Sequence, residues 1–194
     1  MKLDMIISGV GGQGILSIST IIGTAVVKKG LHFKQAEVHG MSQRGGDVQS
    51  HLRISDKPIS SDLIQKGKAK MILSVEPMES LRYLPYLEKD GWVVTNSKPF
   101  VNIPNYPNVD EILAEIKKVP QNIVIDADKI ATEIGTTQVM NVVMLGAASG
   151  FMPFEFSELQ DAIKAIFGAK GENVVQMNLK ALEMGRNFAE TNKK

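Results

Sequence analysis

Between a short apolar run and a stretch of helical periodicity the chain reads Gly9-Val10-Gly11-Gly12-Gln13-Gly14. This spacing constrains the fold more than any other feature. Gly-x-Gly-x-x-Gly placed after a strand and before a helix is the turn of a parallel α/β unit. The flanks agree. Lys2 to Ser8 holds Met5-Ile6-Ile7, which suits a strand buried on both faces. From Gly12 onward Ile15, Ile18, Ile22 and Val26 recur at helical spacing, and Lys28-Lys29-Gly30 supplies cations and a glycine where a helix ends.

The remainder continues the alternation. Phe33 to Val38 is a second strand candidate. Val48, Ser50, Leu52 and Ile54 alternate with Asp47, Gln49, His51 and Arg53, predicting a third strand with one wet face. Buried strands are expected at Met71–Val75, Trp92–Thr95 and Ile123–Asp126, with helical segments near Glu79 to Leu87 and Asp110 to Lys118. The pattern then turns helical. Gln138 to Ser149 reads as an apolar helix. Ser157-x-x-Gln160 forms a capping box before Leu159, Ala162, Ile163, Ile166 and Phe167, stopped by Gly168, and a last helix runs from about Glu172 to Ala189. Pro99 to Pro107 is the expected exposed loop. These readings give an α/β fold: a single Rossmann-like domain over residues 1–194, with a largely parallel sheet flanked by helices and a helical C-terminal part.

Composition removes several classes of function. The 194 residues carry 22 Lys plus Arg against 21 Asp plus Glu, so no global field recruits nucleic acid or an anionic membrane. Cysteine is absent, which excludes disulfides, thiol nucleophiles, cysteine-type zinc, and any iron–sulfur cluster bound by this chain alone. His32, His39 and His51 are spaced too widely for a helical metal pair and read as surface or loop residues, so no metal is expected. The uncharged stretch from Met5 to Val27 fails as a membrane span, because glycines and Gln13 interrupt it. It fails as a secretory signal, because Asp4 stands where a basic region belongs. A cytoplasmic protein is expected.

At the glycine turn, helix N-terminal N–H groups point outward with the positive end of the dipole and can hold phosphate or carboxylate. The same glycines serve equally well for a tight turn and close packing, and both readings stay open. A Walker loop is excluded, since Ile15-Leu16 stands where Lys and Ser or Thr would be needed. Glu37, about 20 residues beyond Gly14, sits near the separation at which a carboxylate bonds the ribose of a dinucleotide. A free-standing NAD-binding dehydrogenase or regulatory Rossmann domain is therefore the alternative reading.

A second unusual stretch, His39-Gly40-Met41-Ser42-Gln43-Arg44-Gly45-Gly46, precedes the alternating strand. Arg44 offers a planar fork of donors, and Ser42 and Gln43 offer neutral hydrogen bonds. Two glycine-bordered segments after successive strands are placed to converge at the carboxyl edge of the sheet. With Gly9 to Gly14, Glu37 to Gly46, Glu79 to Leu87, Gly91 to Asn96 and Asn141 to Gly146, the chain resembles the gamma-type domain of 2-oxoacid:ferredoxin oxidoreductases, most closely the indolepyruvate type.

That resemblance implies a subunit of a heteromeric complex. In it thiamine diphosphate, magnesium and iron–sulfur clusters belong to a large partner subunit, coenzyme A is the co-substrate, and electrons leave through ferredoxin. It implies oxidative decarboxylation of a 2-oxoacid to an acyl-CoA, with no cofactor held by this chain alone. His39, Gln43 and Arg44 are the candidates closest to the chemistry. Gly9, Gly11, Gly12, Gln13, Gly14, Ser42, Arg44, Gly45 and Gly46 are the cofactor-binding candidates, with Arg44 and the glycine-turn N–H groups placed to hold the 2-oxoacid or coenzyme A phosphates. The isolated chain is also a candidate for homodimer formation.

Among other residues, Asn141 in an apolar helix must bond either a neighbouring loop or a ligand, the loop being favoured. Lys66, Lys68 and Lys70 read as a solvated turn. Met140, Met144 and Met152 with Phe151 and Phe154 read as adaptable packing or a subunit interface, and Trp92 as core.

Overall fold

Strand alternation accounts for both faces of one six-stranded sheet in the computed structural model, which describes residues 1–39 and 45–193, His39 by its backbone alone. The strands are β1 (Lys2–Val10), β2 (His32–His39), β3 (Asp47–Ser55), β4 (Ala69–Ser74), β5 (Leu87–Asn96) and β6 (Asn122–Ile125), in spatial order β2-β3-β1-β4-β5-β6. β1, β4, β5 and β6 pair in parallel, whereas β3 runs antiparallel to both β1 and β2. A hairpin strand thus lies between β1 and β2. In a dinucleotide-binding unit β2 lies directly beside β1, so the carboxylate of Glu37 is one strand further from the glycine turn than the NAD alternative requires.

Odd-numbered positions of β1 and β4, Met5, Ile7, Met71 and Leu73, face one large core. Ile6 and Ile72 between them face a smaller cluster on the other side. The large core is closed by α1 (Ile15–Lys28), α5 (Met140–Ser149), α6 (Phe156–Phe167) and α7 (Glu172–Asn192). On the opposite face lie α2 (Pro77–Arg82) and α3 (Val109–Ile116). α1 ends as its sequence predicts: Gly30 takes a left-handed φ of 71°, and the N–H groups of Gly30 and Leu31 return to the carbonyls of Val27 and Val26.

α5 and α7 cross with their backbones in contact. A Cβ on Gly146 would overlap the Leu182 carbonyl, and one on Gly185 would overlap that of Val143. Met144, Met152 and Phe154 are buried in this core, which supplies the packing that their sequence pattern asked for. Trp92 is half-buried rather than core. It stacks on Phe151 with ring centroids 4.1 Å apart, and Lys193 lies over both rings.

Several expectations are corrected. The expected wet face of β3 holds at exposed Asp47 but is covered at His51 and Arg53. His51 is buried and its Nδ1 accepts the Ile64 N–H at 2.9 Å, while Arg53 pairs with buried Asp4 and donates to the carbonyls of Ser61 and Leu63. The 56–68 segment supplies that cover, which alternation along β3 alone does not reveal. The helix expected from Glu79 to Leu87 ends at Arg82, and Leu87 already belongs to β5. The capping box of α6 is Glu155 with Glu158, two residues before the Ser157/Gln160 pair. An additional helix, α4 (Ala127–Ile134), follows β6, capped by Asp126. Among the described residues no helix is long and apolar enough to cross a membrane.

Candidate functional site

The site begins where β1 turns into α1. Gly12 and Gly14 hold left-handed φ angles of 101° and 81°, which side chains with a Cβ resist. Gln13 ties the turn: its Oε1 accepts the Val10 N–H at 2.8 Å, and its own N–H reaches the Val10 carbonyl at 3.1 Å. A Cβ on Gly9 would overlap the side chain of Val75, so the first glycine serves close packing of β1 against the end of β4. Gly14 is the N-cap of α1 and has no side chain to satisfy the first turn. Among the described residues no acceptor meets the N–H groups of Gly14, Ile15 and Leu16. They form the positive end of a 14-residue helix, available to an anion or an oxygen ligand.

Asn141, at the start of α5, explains the third glycine. Its Nδ2 donates to the Gly14 carbonyl at 3.1 Å and lies 2.5 Å from where a Gly14 Cβ would stand. The amide bonds the neighbouring loop, as expected from its apolar setting. A groove of about 340 Å³ opens in front of the turn, lined by Val10, Gly11, Gly12, Gly14, Ile15, Leu16, Glu37 and Val48. Glu37 therefore faces the same groove as the turn, although it stands on the far strand of the hairpin.

The second glycine-bordered stretch meets the first. The Gly11 N–H donates to the Gly46 carbonyl at 2.9 Å, joining the two segments at the carboxyl edge of the sheet. Gly45 has a left-handed φ of 79°, and its carbonyl accepts from the side chain of Asn102. Gly40, Met41, Ser42, Gln43 and Arg44, and the side chain of His39, lie outside the described residues. Gly9, Gly11, Gly12, Gln13, Gly14, Gly45 and Gly46 are thus brought together, and Ser42, Gln43 and Arg44 are bracketed in sequence by the described ends.

A polar cluster that the sequence reading missed lies along the same edge. Glu76, fully buried after β4, caps α2 by accepting the Glu79 N–H at 2.9 Å through Oε2. Its Oε1 accepts from the Phe100 N–H at 3.3 Å and from the Tyr106 hydroxyl. Asn96 at the end of β5 donates to Asp128 at 2.8 Å and accepts from Ala127 at 3.1 Å. Burial, then the bond to Glu76, raises the Tyr106 phenol above its usual range, so it remains a donor. Burial also pushes the Glu79 carboxyl up, with the Arg82 guanidinium pulling the other way. One signal was present: Glu76-Pro77 directly after a buried strand is an N-cap followed by proline at the first helical position.

The chain has no cysteine, and among the described residues no three His, Cys, Asp or Glu side chains stand close enough to hold an ion.

Comparison with known proteins extends the geometry. A family model described as pyruvate ferredoxin/flavodoxin oxidoreductase matches residues 4–188. The chain is 39% identical to indolepyruvate oxidoreductase subunit IorB of Archaeoglobus fulgidus, over 97% of this chain and 96% of that protein. It is 31% identical to the common gamma subunit of the pyruvate/ketoisovalerate oxidoreductases of Thermococcus kodakarensis, over 90% of each. Among solved structures, the gamma subunit of a keto/oxoacid ferredoxin oxidoreductase from Geobacter sulfurreducens superposes with a TM-score of 0.72 at 23% identity, covering 97% of this chain and 99% of that one. A 2-oxoglutarate:ferredoxin oxidoreductase from Magnetococcus marinus, with 2-oxoglutarate, coenzyme A and succinyl-CoA bound, gives a TM-score of 0.78 at 21% identity. That match takes in 98% of this chain and only 31% of the other.

Proposed function

Since the chain belongs to the pyruvate ferredoxin/flavodoxin oxidoreductase family, we propose that it is the small subunit of an indolepyruvate-type 2-oxoacid:ferredoxin oxidoreductase, acting in the cytoplasm with a large partner subunit. The observation that carries this reading is the near full-length relation to indolepyruvate oxidoreductase small subunits. The junction of the two glycine-bordered stretches at one sheet edge supports it. The NAD alternative keeps Glu37 in the groove but departs from the dinucleotide-binding strand order, since β3 stands between β1 and β2.

The cysteine-free chain lacks the thiolates that an iron–sulfur cluster needs, and the family resemblance gives thiamine diphosphate and magnesium to the large subunit. Those groups are assigned to the partner subunit, and no step through them is assigned to this chain. What this chain contributes is a wall. The N–H groups at the start of α1 would hold an oxygen or phosphate of coenzyme A or the carboxylate of the 2-oxoacid. Arg44 would pair with the same class of anion, Ser42 and Gln43 would orient it, and His39 would line the approach. Apolar Val10, Ile15, Leu16 and Val48 around the groove would exclude water once the partner closes over it.

Co-expression with a large subunit tests the reading. Reduction of a viologen dye that depends on both indolepyruvate and coenzyme A is expected only when both chains are present. NAD-dependent activity of the isolated chain, or failure of the two chains to co-purify, would reject it. Within the active complex, Arg44→Ala is expected to raise the KM of coenzyme A or of the 2-oxoacid, and unchanged values for both would remove Arg44 from the site.

A further inference from the structure

A fully buried carboxylate usually has structural work to do, and Glu76, which no cation pairs with among the described residues, divides its two oxygens between two elements. Oε2 caps α2, while Oε1 gathers the Phe100 N–H and the Tyr106 hydroxyl. Both ends of the 97–108 segment are thereby fixed, the first further held by the Lys98 N–H on Asn96 Oδ1 at 3.4 Å. The second end leads into Asn108, whose side chain caps α3 at 2.8 Å. Between these clamps the segment is exposed, and from its tip Asn102 donates to the Gly45 carbonyl. The next carbonyl, Gly46, is the one that receives the Gly11 N–H. A connected path therefore runs from a buried carboxylate, through a clamped loop, to the glycine turn.

We propose that Asn102 is a positioning residue for the glycine-turn groove, acting through Gly45 and Gly46 on Gly11, with Glu76 and Tyr106 as its fixed base; this rests on the function proposed above. A lone hydrogen bond at an exposed loop tip holds little, because water competes for both partners. Here the donor belongs to a loop already ordered at its base, so the bond forms with small loss of freedom. Gly45 and Gly46 lack side chains that could be packed into place, and the held carbonyls serve instead. The groove is lined by the backbone of Gly11 and Gly12, so a small shift at Gly46 moves the groups that would touch the ligand.

Asn102→Asp keeps size and shape but replaces the amide donor with an acceptor, whereas Asn102→Gln keeps an amide. In the isolated chain, hydrogen exchange of the Gly11 amide is expected to accelerate about tenfold in Asn102→Asp and to stay near wild type in Asn102→Gln. In the assembled complex, Asn102→Asp is expected to raise the KM of coenzyme A or 2-oxoacid about tenfold while kcat changes little, since the groups displaced bind rather than react. Unchanged Gly11 exchange overturns the proposal whatever the activity. So does an assembled Asn102→Asp complex with wild-type KM, or Asn102→Gln and Asn102→Asp losing thermal stability and activity together. If the wild-type complex shows no 2-oxoacid activity the functional reading fails, and the exchange measurement still decides the role of Asn102.

Discussion

The two faces of the sheet are held by different physics. Against one face pack α1, α5, α6 and α7, whose contacts are apolar side chains and helix backbones in direct touch. Against the other lie short helices and the 56–68 segment over small apolar clusters, with Asp4, His51, Glu76 and Glu79 buried among them. The first face resists compression, because nothing can be added. The second depends on partners, because nothing charged or polar there can be left alone. The carboxyl edge, where the glycine segments meet, draws on both: Asn141 reaches it from the apolar side and Asn102 from the polar side.

The sharpest break of that contrast is expected on the apolar face. Gly185→Val drives a side chain into the Val143 carbonyl, and since backbone cannot yield as a side chain does, a loss of about 3 kcal/mol or more is expected by urea unfolding. Arg53→Met probes the polar face. It leaves buried Asp4, which Arg53 now holds through two bonds of 2.8 and 3.1 Å, with Lys2 as its remaining cation, and about 2–3 kcal/mol should be lost. Asp4→Asn in the Arg53→Met background should restore part of that loss; no recovery would refute the explanation by a buried charge left with too few partners. Tyr106→Phe removes one neutral donor from the Glu76 carboxylate, with an expected cost of about 1.5 kcal/mol.

The gentlest test is pH. Burial, ahead of the opposing pull of Asp62, holds the His51 imidazole below its ordinary 6.5. The unfolded chain therefore binds the proton first. Stability from this group is complete above pH 6.5 and is lost as pH falls from there through the lower folded value, where protonation of Nδ1 breaks the bond from Ile64. His51→Gln should flatten the stability profile in that window, measured by denaturant midpoints. An unaltered profile would place the acid sensitivity elsewhere.

Legibility in the sequence follows the same division. The strands, α1 with its Lys28-Lys29-Gly30 ending, and the stop of α6 at Gly168 could be read because apolar periodicity and glycine punctuation are local signals. The start of α6 was misplaced because Leu159, Ala162 and Ile163 fix which face is buried but not which acceptor closes the first turn; Glu155 does so instead of Ser157. The covered face of β3 was illegible. Its alternation tells which side chains share a side, and only the distant Ile64 and Asp4 show that His51 and Arg53 are used. Of the site, the glycine turn and its meeting with Gly46 followed from topology. Glu76, Asn102 and Tyr106 did not, since each depends on a partner at least 24 residues away.

The crossing of α5 and α7 at Gly146 and Gly185 leaves no cushion of side chains between the two helices. Asn141 begins one of them and grips the carbonyl of Gly14. Gly185 packs on Val143, two residues from Asn141, so a substitution at 185 that shifts α5 is expected to disturb the hold on a turn more than 170 positions earlier in the chain. Substitutions late in the chain that look remote from the groove belong among those to check first when ligand affinity drifts.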